Sequence, residues 1–191
     1  MPRIIGQLLF LGSPLLLVAI ANGLCIKYDW IKSLKKPLDL GLRFRGKRIF
    51  GDHKTWRGLV INLAFSVLGA SIQGMLQGRG VIPSWILLVD YQTNGPLLGL
   101  LLGMGMTAGE LPNSFLKRQM EISPGRQATG VLSVAFFLLD QIDLALGIWI
   151  FIFVVVRPPI SLVLWSLVLT LVLHVAVSAV GYALGMRKTP V

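Results

Sequence analysis

Long apolar runs separated by short polar stretches organise this chain. A bilayer core of about 30 Å needs roughly 20 apolar residues as helix. Five segments meet or approach that length: residues 4–24, 58–76, 96–115, 131–156 and 160–185. The pattern therefore predicts an all-α fold, a single membrane domain over 1–191 with five transmembrane helices. Gly12-Ser13-Pro14 predicts a kink in the first segment, and Arg157-Pro158-Pro159 ends the fourth, because proline cannot donate the helical hydrogen bond. The stretch from Ser84 to Tyr91 is too short to span, and its Trp85 and Tyr91 suit a membrane interface. The first run exceeds the apolar core of a signal peptide and reads as a retained helix.

Two segments carry small or polar stripes. In the second, Gly58, Asn62, Ser66, Gly69, Gln73 and Gln77 recur every three or four residues. In the third, Gly95, Gly99, Gly103 and Thr107 recur every four. Such faces let membrane helices approach closely, or line the floor of a polar cavity. They serve within or between subunits alike, so oligomeric state stays open. Mid-helix His174 is expected to make one interhelical hydrogen bond. No internal repeat is evident, which weighs against inverted-repeat transporters.

Composition agrees with a membrane chain. Hydrophobic residues make up 54% and charged residues 14% of 191, and mean hydropathy is +0.75. The net charge of +10 is local. Residues 27–57 hold ten of the eighteen Lys and Arg, opposed only by Asp29, Asp39 and Asp52. A basic loop between apolar runs favours anionic lipid and phosphates, so nucleic acid is not expected. Loop 27–57, loop 116–130 and the tail carry fifteen basic residues, against three (Arg3, Arg79, Arg157) in the alternate connections. The positive-inside rule then puts the N-terminus outside, with the basic loops and C-terminus in the cytoplasm. The single Cys25 excludes an intramolecular disulfide and any CxxC motif.

Three stretches carry chemistry. Asp140 and Asp143 lie within an apolar segment, where carboxylates are costly and mark function. Their spacing puts both on one helical face, and Gly147 is expected to keep that face open. Something positive must neutralise them. Mg²⁺ suits two carboxylates completed by water and phosphate; an ion pair with Lys117, Arg118 or a loop arginine is the other reading. Glu110, Ser114 and Lys117 share a face if Pro112 leaves the register intact, and Arg126 follows in a turn. Lys117-Arg118 alone would serve as a positive-inside stop signal. Together with the carboxylates, these groups fit a multi-phosphate ligand with Mg²⁺. The segment GKRIFGDHKTWRG lacks P-loop spacing, yet it sets Lys54 and Arg57 beside Trp56 among turn-forming glycines.

PLDLGLRFRGKRIFGDHKTWRG (37–58), GELPNSFLKRQMEISPG (109–125) and LLDQIDLALG (138–147) resemble, in order, the three signatures of the CDP-archaeol synthase family. That family comprises membrane CTP:lipid-phosphate cytidylyltransferases related to CDP-diacylglycerol synthases. The resemblance implies a five-helix bundle with a charged cytoplasmic cavity at the cell membrane. It implies that Asp140 and Asp143 bind Mg²⁺, that Lys117 and Arg118 meet phosphates, and that Asp52, Lys54, Trp56 and Arg57 help form the nucleotide or lipid-phosphate pocket. Glu110 stands where the family usually has aspartate, Asn113 where a small residue is common, and His53 where glycine is frequent. The implied reaction joins CTP to a lipid phosphate of the 2,3-di-O-geranylgeranylglycerol type, releasing pyrophosphate. Phosphatidate as substrate, a small transporter or flippase of an anionic head group, and a non-enzymatic assembly subunit are the rival readings.

Overall fold

The computed structural model describes residues 2–123 and 131–183, with side chains other than those of 131, 132, 134, 141 and 174–183. His174 therefore falls outside the described side chains, and Arg126 and the basic tail outside the described residues. Five long helices run in order: α1 (Pro2–Lys27), α2 (Trp56–Gly78), α3 (Tyr91–Gln119), α4 (Val131–Ile152) and α5 (Ile160–Ala183). Between α1 and α2 lies a loop with a short antiparallel ribbon, β1 (Arg43–Phe44) and β2 (Lys47–Arg48).

Helix ends follow local chemistry. Thr55 is extended, and its hydroxyl accepts from the Gly58 amide at 3.2 Å, so α2 starts at Trp56. Asp90 accepts from the Gln92 amide at 3.1 Å and starts α3 five residues before the expected Pro96. Gln77 of α2 fixes that cap from outside: it donates to Asp90 at 2.7 Å and accepts from the Tyr91 amide at 2.7 Å. The Tyr91 ring is buried edge-on to Phe10, with centroids 5.0 Å apart. At the other end of the chain, α4 stops at Ile152 rather than 156. Pro158 and Pro159 have no N–H to offer the carbonyls four residues back, and the preceding residues turn out of the helix.

The polar stripes are packing surfaces. Along α2 and α3, which run in opposite directions, Gly103 faces the Asn62 carbonyl, Gly99 that of Ser66, Gly95 that of Ala70, and Gly74 that of Tyr91. A methyl at any of these would come within 2.5–2.7 Å of the opposing oxygen. Backbones this close gain dispersion contacts that larger residues would forbid. Polar side chains then join three helices. Asn22 donates to Asn62 at 2.9 Å, and Asn62 to Thr107 at 3.0 Å. Pro14 removes the helical donor for the Phe10 carbonyl, and Gln73 of α2 supplies one in its place.

Beside an apolar core around Leu98, Leu102 and Ile152, polar groups also turn inward while apolar ones face out. Ser66, Gln73 and Asn113 are buried, whereas Leu16, Ile20, Leu68, Ile150 and Leu164 are exposed. An apolar outer surface of this extent suits hydrocarbon rather than water. Among the described residues, α1 and α2 are long and apolar enough to cross a bilayer, with mean hydropathies of 2.2 and 1.8 over their best windows. The loop between α1 and α2 and the C-terminal end of α3 meet at one end of the molecule. At the other, Trp85 packs on Gly6 near the start of α1.

Candidate active site

One carboxylate organises the loop. Asp39 is buried, and its two oxygens accept from the amides of Gly41 (3.0 Å), Phe50 (2.9 Å) and Gly51 (3.1 Å) and from Arg48 at 2.7 Å. Burial by itself pushes the Asp39 carboxyl up. The Arg48 guanidinium and the three amides outweigh it and hold the group well below the usual carboxylate range. A depressed folded-state value stabilises above the ordinary Asp value near 4, and that contribution is lost as pH falls from there through the folded value. Asp39→Asn should therefore abolish protection of the Phe50 and Gly51 amides at neutral pH. In the parent protein the same protection should fade only below about pH 4. Hydrogen-exchange protection factors across pH 3–7 check both outcomes.

The folded loop reaches two helices. Arg57, buried at the start of α2, donates to Asp29 and to the Trp30 carbonyl, both at 3.0 Å, and ties the loop to the end of α1. Asp52 is largely exposed and pairs with Arg48 at 2.9 Å. Trp56 is partly exposed, and its amide bonds the Lys36 carbonyl at 3.0 Å. The ribbon docks on α3: Phe44 packs on Phe115 with centroids 5.8 Å apart, and Lys47 donates to the Gln119 carbonyl at 2.7 Å. Lys54 extends to an ion pair with Glu110. Of the loop residues singled out from sequence, Lys54 thus joins the α3 acid face, while the hydrogen bonds of Asp52 and Arg57 go elsewhere.

Glycine contact aligns α3 with α4. A methyl on Gly105 would lie 2.6 Å from Ile148 Cα, and one on Gly147 would overlap Gly105 and Gly109. Gly147 therefore does not keep a face open, as the sequence implied; it is the residue across which the two backbones touch. This crossing brings Asp140 and Asp143 against α3, which remains helical through Pro112. The buried Asn113 amide donates to Asp140 at 2.6 Å and to Asp143 at 3.0 Å. Lys117 pairs with both Asp140 oxygens, at 2.6 Å for Oδ2, and lies 5.6 Å from the Phe136 ring centre. Asp143 also accepts from the Leu144 amide at 2.6 Å. Asp140 thus shows the Lys117 ion pair that sequence left open beside the metal.

The inward-facing set on α3 is Glu110, Asn113 and Lys117. Ser114 is half-buried, and among the described residues its hydroxyl makes no hydrogen bond to α4. Asn113 was missed as a site residue, although its place three after Glu110 and four before Lys117 was a usable signal. Glu110 lies close enough to Asp143 for their charges to repel, but among the described residues no three acidic, histidine or cysteine side chains converge as a ready cage. Arg118 adds buried donors: its Nε and Nη1 find no partner among the described residues. Buried guanidinium nitrogens without partners are costly, and a phosphate would satisfy them. The hard oxygens of the Asp140–Asp143 pair suit Mg²⁺ completed by water and phosphate oxygens.

A family model described as CarS-like, CDP-archaeol synthase, matches residues 28–191. CDP-archaeol synthase of Methanosphaerula palustris is 36% identical over 161 residues, covering 81% of this chain and 89% of that protein. The enzymes of that name from Methanospirillum hungatei and Pyrococcus horikoshii are 31% and 32% identical, covering 89% and 82% of their own lengths. A solved structure of an intramembrane enzyme for archaeal membrane lipids biosynthesis has the same fold. Its TM-score is 0.63, with 23% identity over 88% of this chain and 90% of that one. With the family model spanning everything after α1 and relatives above 30% identity aligned over most of their length, the chain belongs to the CDP-archaeol synthase family.

Proposed function

We propose that this membrane cytidylyltransferase forms CDP-archaeol on the α3–α4 face described above. In this reaction a phosphate oxygen of the ether lipid forms the new bond to the α-phosphorus of CTP. The bond from that phosphorus to the bridging oxygen breaks, and pyrophosphate leaves with the electron pair. The observation that carries the reading is the grouping of Asp140, Asp143, Asn113 and Lys117 at a single helix crossing, followed on α3 by Arg118, whose buried Nε and Nη1 have no partner among the described residues.

Each residue has a distinct task. Asp140 and Asp143 are the ligands that would hold Mg²⁺, which when bound neutralises triphosphate and pyrophosphate charge. With a metal held at Asp140, Lys117 would be available to donate to a phosphate oxygen. Arg118 offers a planar pair of donors suited to phosphate. Lys54 and Glu110 balance each other at the rim, and Lys54 becomes a phosphate donor when CTP enters. No covalent protein intermediate is required, since transfer of this kind depends on positioning and electrostatic stabilisation. Glu110, Ser114, Trp56, Arg57 and Asp52 shape the surroundings, Arg57 and Asp52 by holding the loop.

The five helices are proposed to span the membrane, with the N-terminus outside and the loop, site and C-terminus cytoplasmic. The fifteen-to-three distribution of basic residues supports this. So does the meeting of loop 28–55 with the C-terminal end of α3. The lipid tails would then remain in the bilayer while the phosphate reaches the site.

The test uses purified protein in detergent with Mg²⁺, labelled CTP and either a geranylgeranyl ether glycerol phosphate or dioleoyl phosphatidate. Label should enter the ether lipid. Label in phosphatidate alone would move the chain to CDP-diacylglycerol synthesis, and no label with no CTP binding would remove the enzymatic reading.

A further inference from the structure

Among the described residues, Asn113 is the side chain that hydrogen-bonds both carboxylates. Its Nδ2, with two hydrogens to give, lies within hydrogen-bond distance of both carboxylates, at 2.6 Å to Asp140 and 3.0 Å to Asp143. Its own Oδ1 is buried and meets no partner among the described residues. The amide orientation is thus set by the two carboxylates alone, at the expense of a buried acceptor. Two carboxylates one helical turn apart would otherwise repel and rotate away from each other. Among the described residues Lys117 pairs with Asp140 and not with Asp143, so it does not fix their separation.

We infer that Asn113 is a positioning residue that sets the spacing between Asp140 and Asp143. This rests on the metal-and-phosphate reading above and adds a residue to it. The amide acts before any ligand arrives, holding both carboxylates on the α3 side. Outer partners of metal-binding carboxylates typically govern affinity and activity by 10–100-fold. Leucine at 113 keeps the volume but donates nothing. Aspartate keeps the shape, removes both donors and adds a further negative group to the cluster.

The experiment is a thermal-shift titration of purified protein in detergent with Mg²⁺ alone, run on the parent, Asn113→Leu, Asn113→Asp and Asp140→Asn. In Asn113→Leu the Mg²⁺ midpoint should rise about tenfold, with turnover falling 10–100-fold. In Asn113→Asp the midpoint should fall severalfold while turnover also drops. Opposite movements of the midpoint cannot come from a shared loss of stability. If both variants melt lower yet keep the parental midpoint, Asn113 is merely structural and the inference is overturned. Should Asn113→Leu fail to fold, an unchanged midpoint in Asn113→Asp overturns it by itself. If Asp140→Asn abolishes the shift while the Asn113 variants leave it unmoved, only the positioning role falls. A parent that shows no Mg²⁺ shift, or one that Asp140→Asn leaves intact, removes the metal reading and the inference with it.

Discussion

Asp143→Asn should lower CTP-dependent formation of the CDP-lipid by about three orders of magnitude, the scale seen when a charge-stabilising group is removed from such a site. The fold should survive. Asparagine has almost the same volume, and its oxygen can still accept from the Leu144 amide, as Asp143 does at 2.6 Å. Removing one of three neighbouring negative charges also relieves repulsion with Asp140 and Glu110. The expected change in stability is therefore within about 1 kcal/mol of the parent. Turnover of labelled CTP and a detergent melting curve, measured on the same preparation, separate the two effects. Near-parental turnover would show that the reaction does not need the charge of Asp143, and the assignment of the carboxylate pair would fail.

The residues differ in how far they could be read before folding, and range of interaction explains the difference. Helical character follows from runs of apolar residues, and the close approach of α2 and α3 from glycine every fourth position, because both patterns are local. Asp140 and Asp143 stand out because a carboxylate in an apolar run is costly wherever the helix packs. Asp39 did not stand out. In a stretch with ten cations it reads as one of three diluting acids, and only the turn that brings Gly41, Arg48, Phe50 and Gly51 around it reveals its role. Arg57 read as a phosphate donor because its partner, Asp29, lies 28 residues away. Asn113 is uncharged and drew notice only as a departure from the family pattern. Its importance depends on α4, 27 and 30 residues further along. Gly147 read as open space, and only the crossing of α3 and α4 shows it to be a contact.

Gly147→Ala tests whether that crossing sets the site. The added methyl would overlap Gly105 and Gly109, and it would lie 2.7 Å from the Gly109 amide nitrogen. These are backbone atoms, so no side-chain rotation can relieve the clash. The helices must separate by on the order of 1 Å to restore normal packing. Overpacking of this kind costs about 1–3 kcal/mol. The larger consequence is for chemistry. Asp143 lies one helical turn from Gly147, and Asn113 one turn from Gly109, so separation at the glycines pulls the carboxylates away from their amide. Displacement of about 1 Å in a catalytic group can reduce turnover by about a hundredfold. Gly12→Ala provides the comparison: an added methyl there meets nothing within 4 Å. That variant should melt at or slightly above the parent, by up to about 1 kcal/mol from helix propensity, with unchanged turnover. If Gly147→Ala loses stability but keeps its turnover, the carboxylates are held by α4 itself, and the α3–α4 crossing does not set the site.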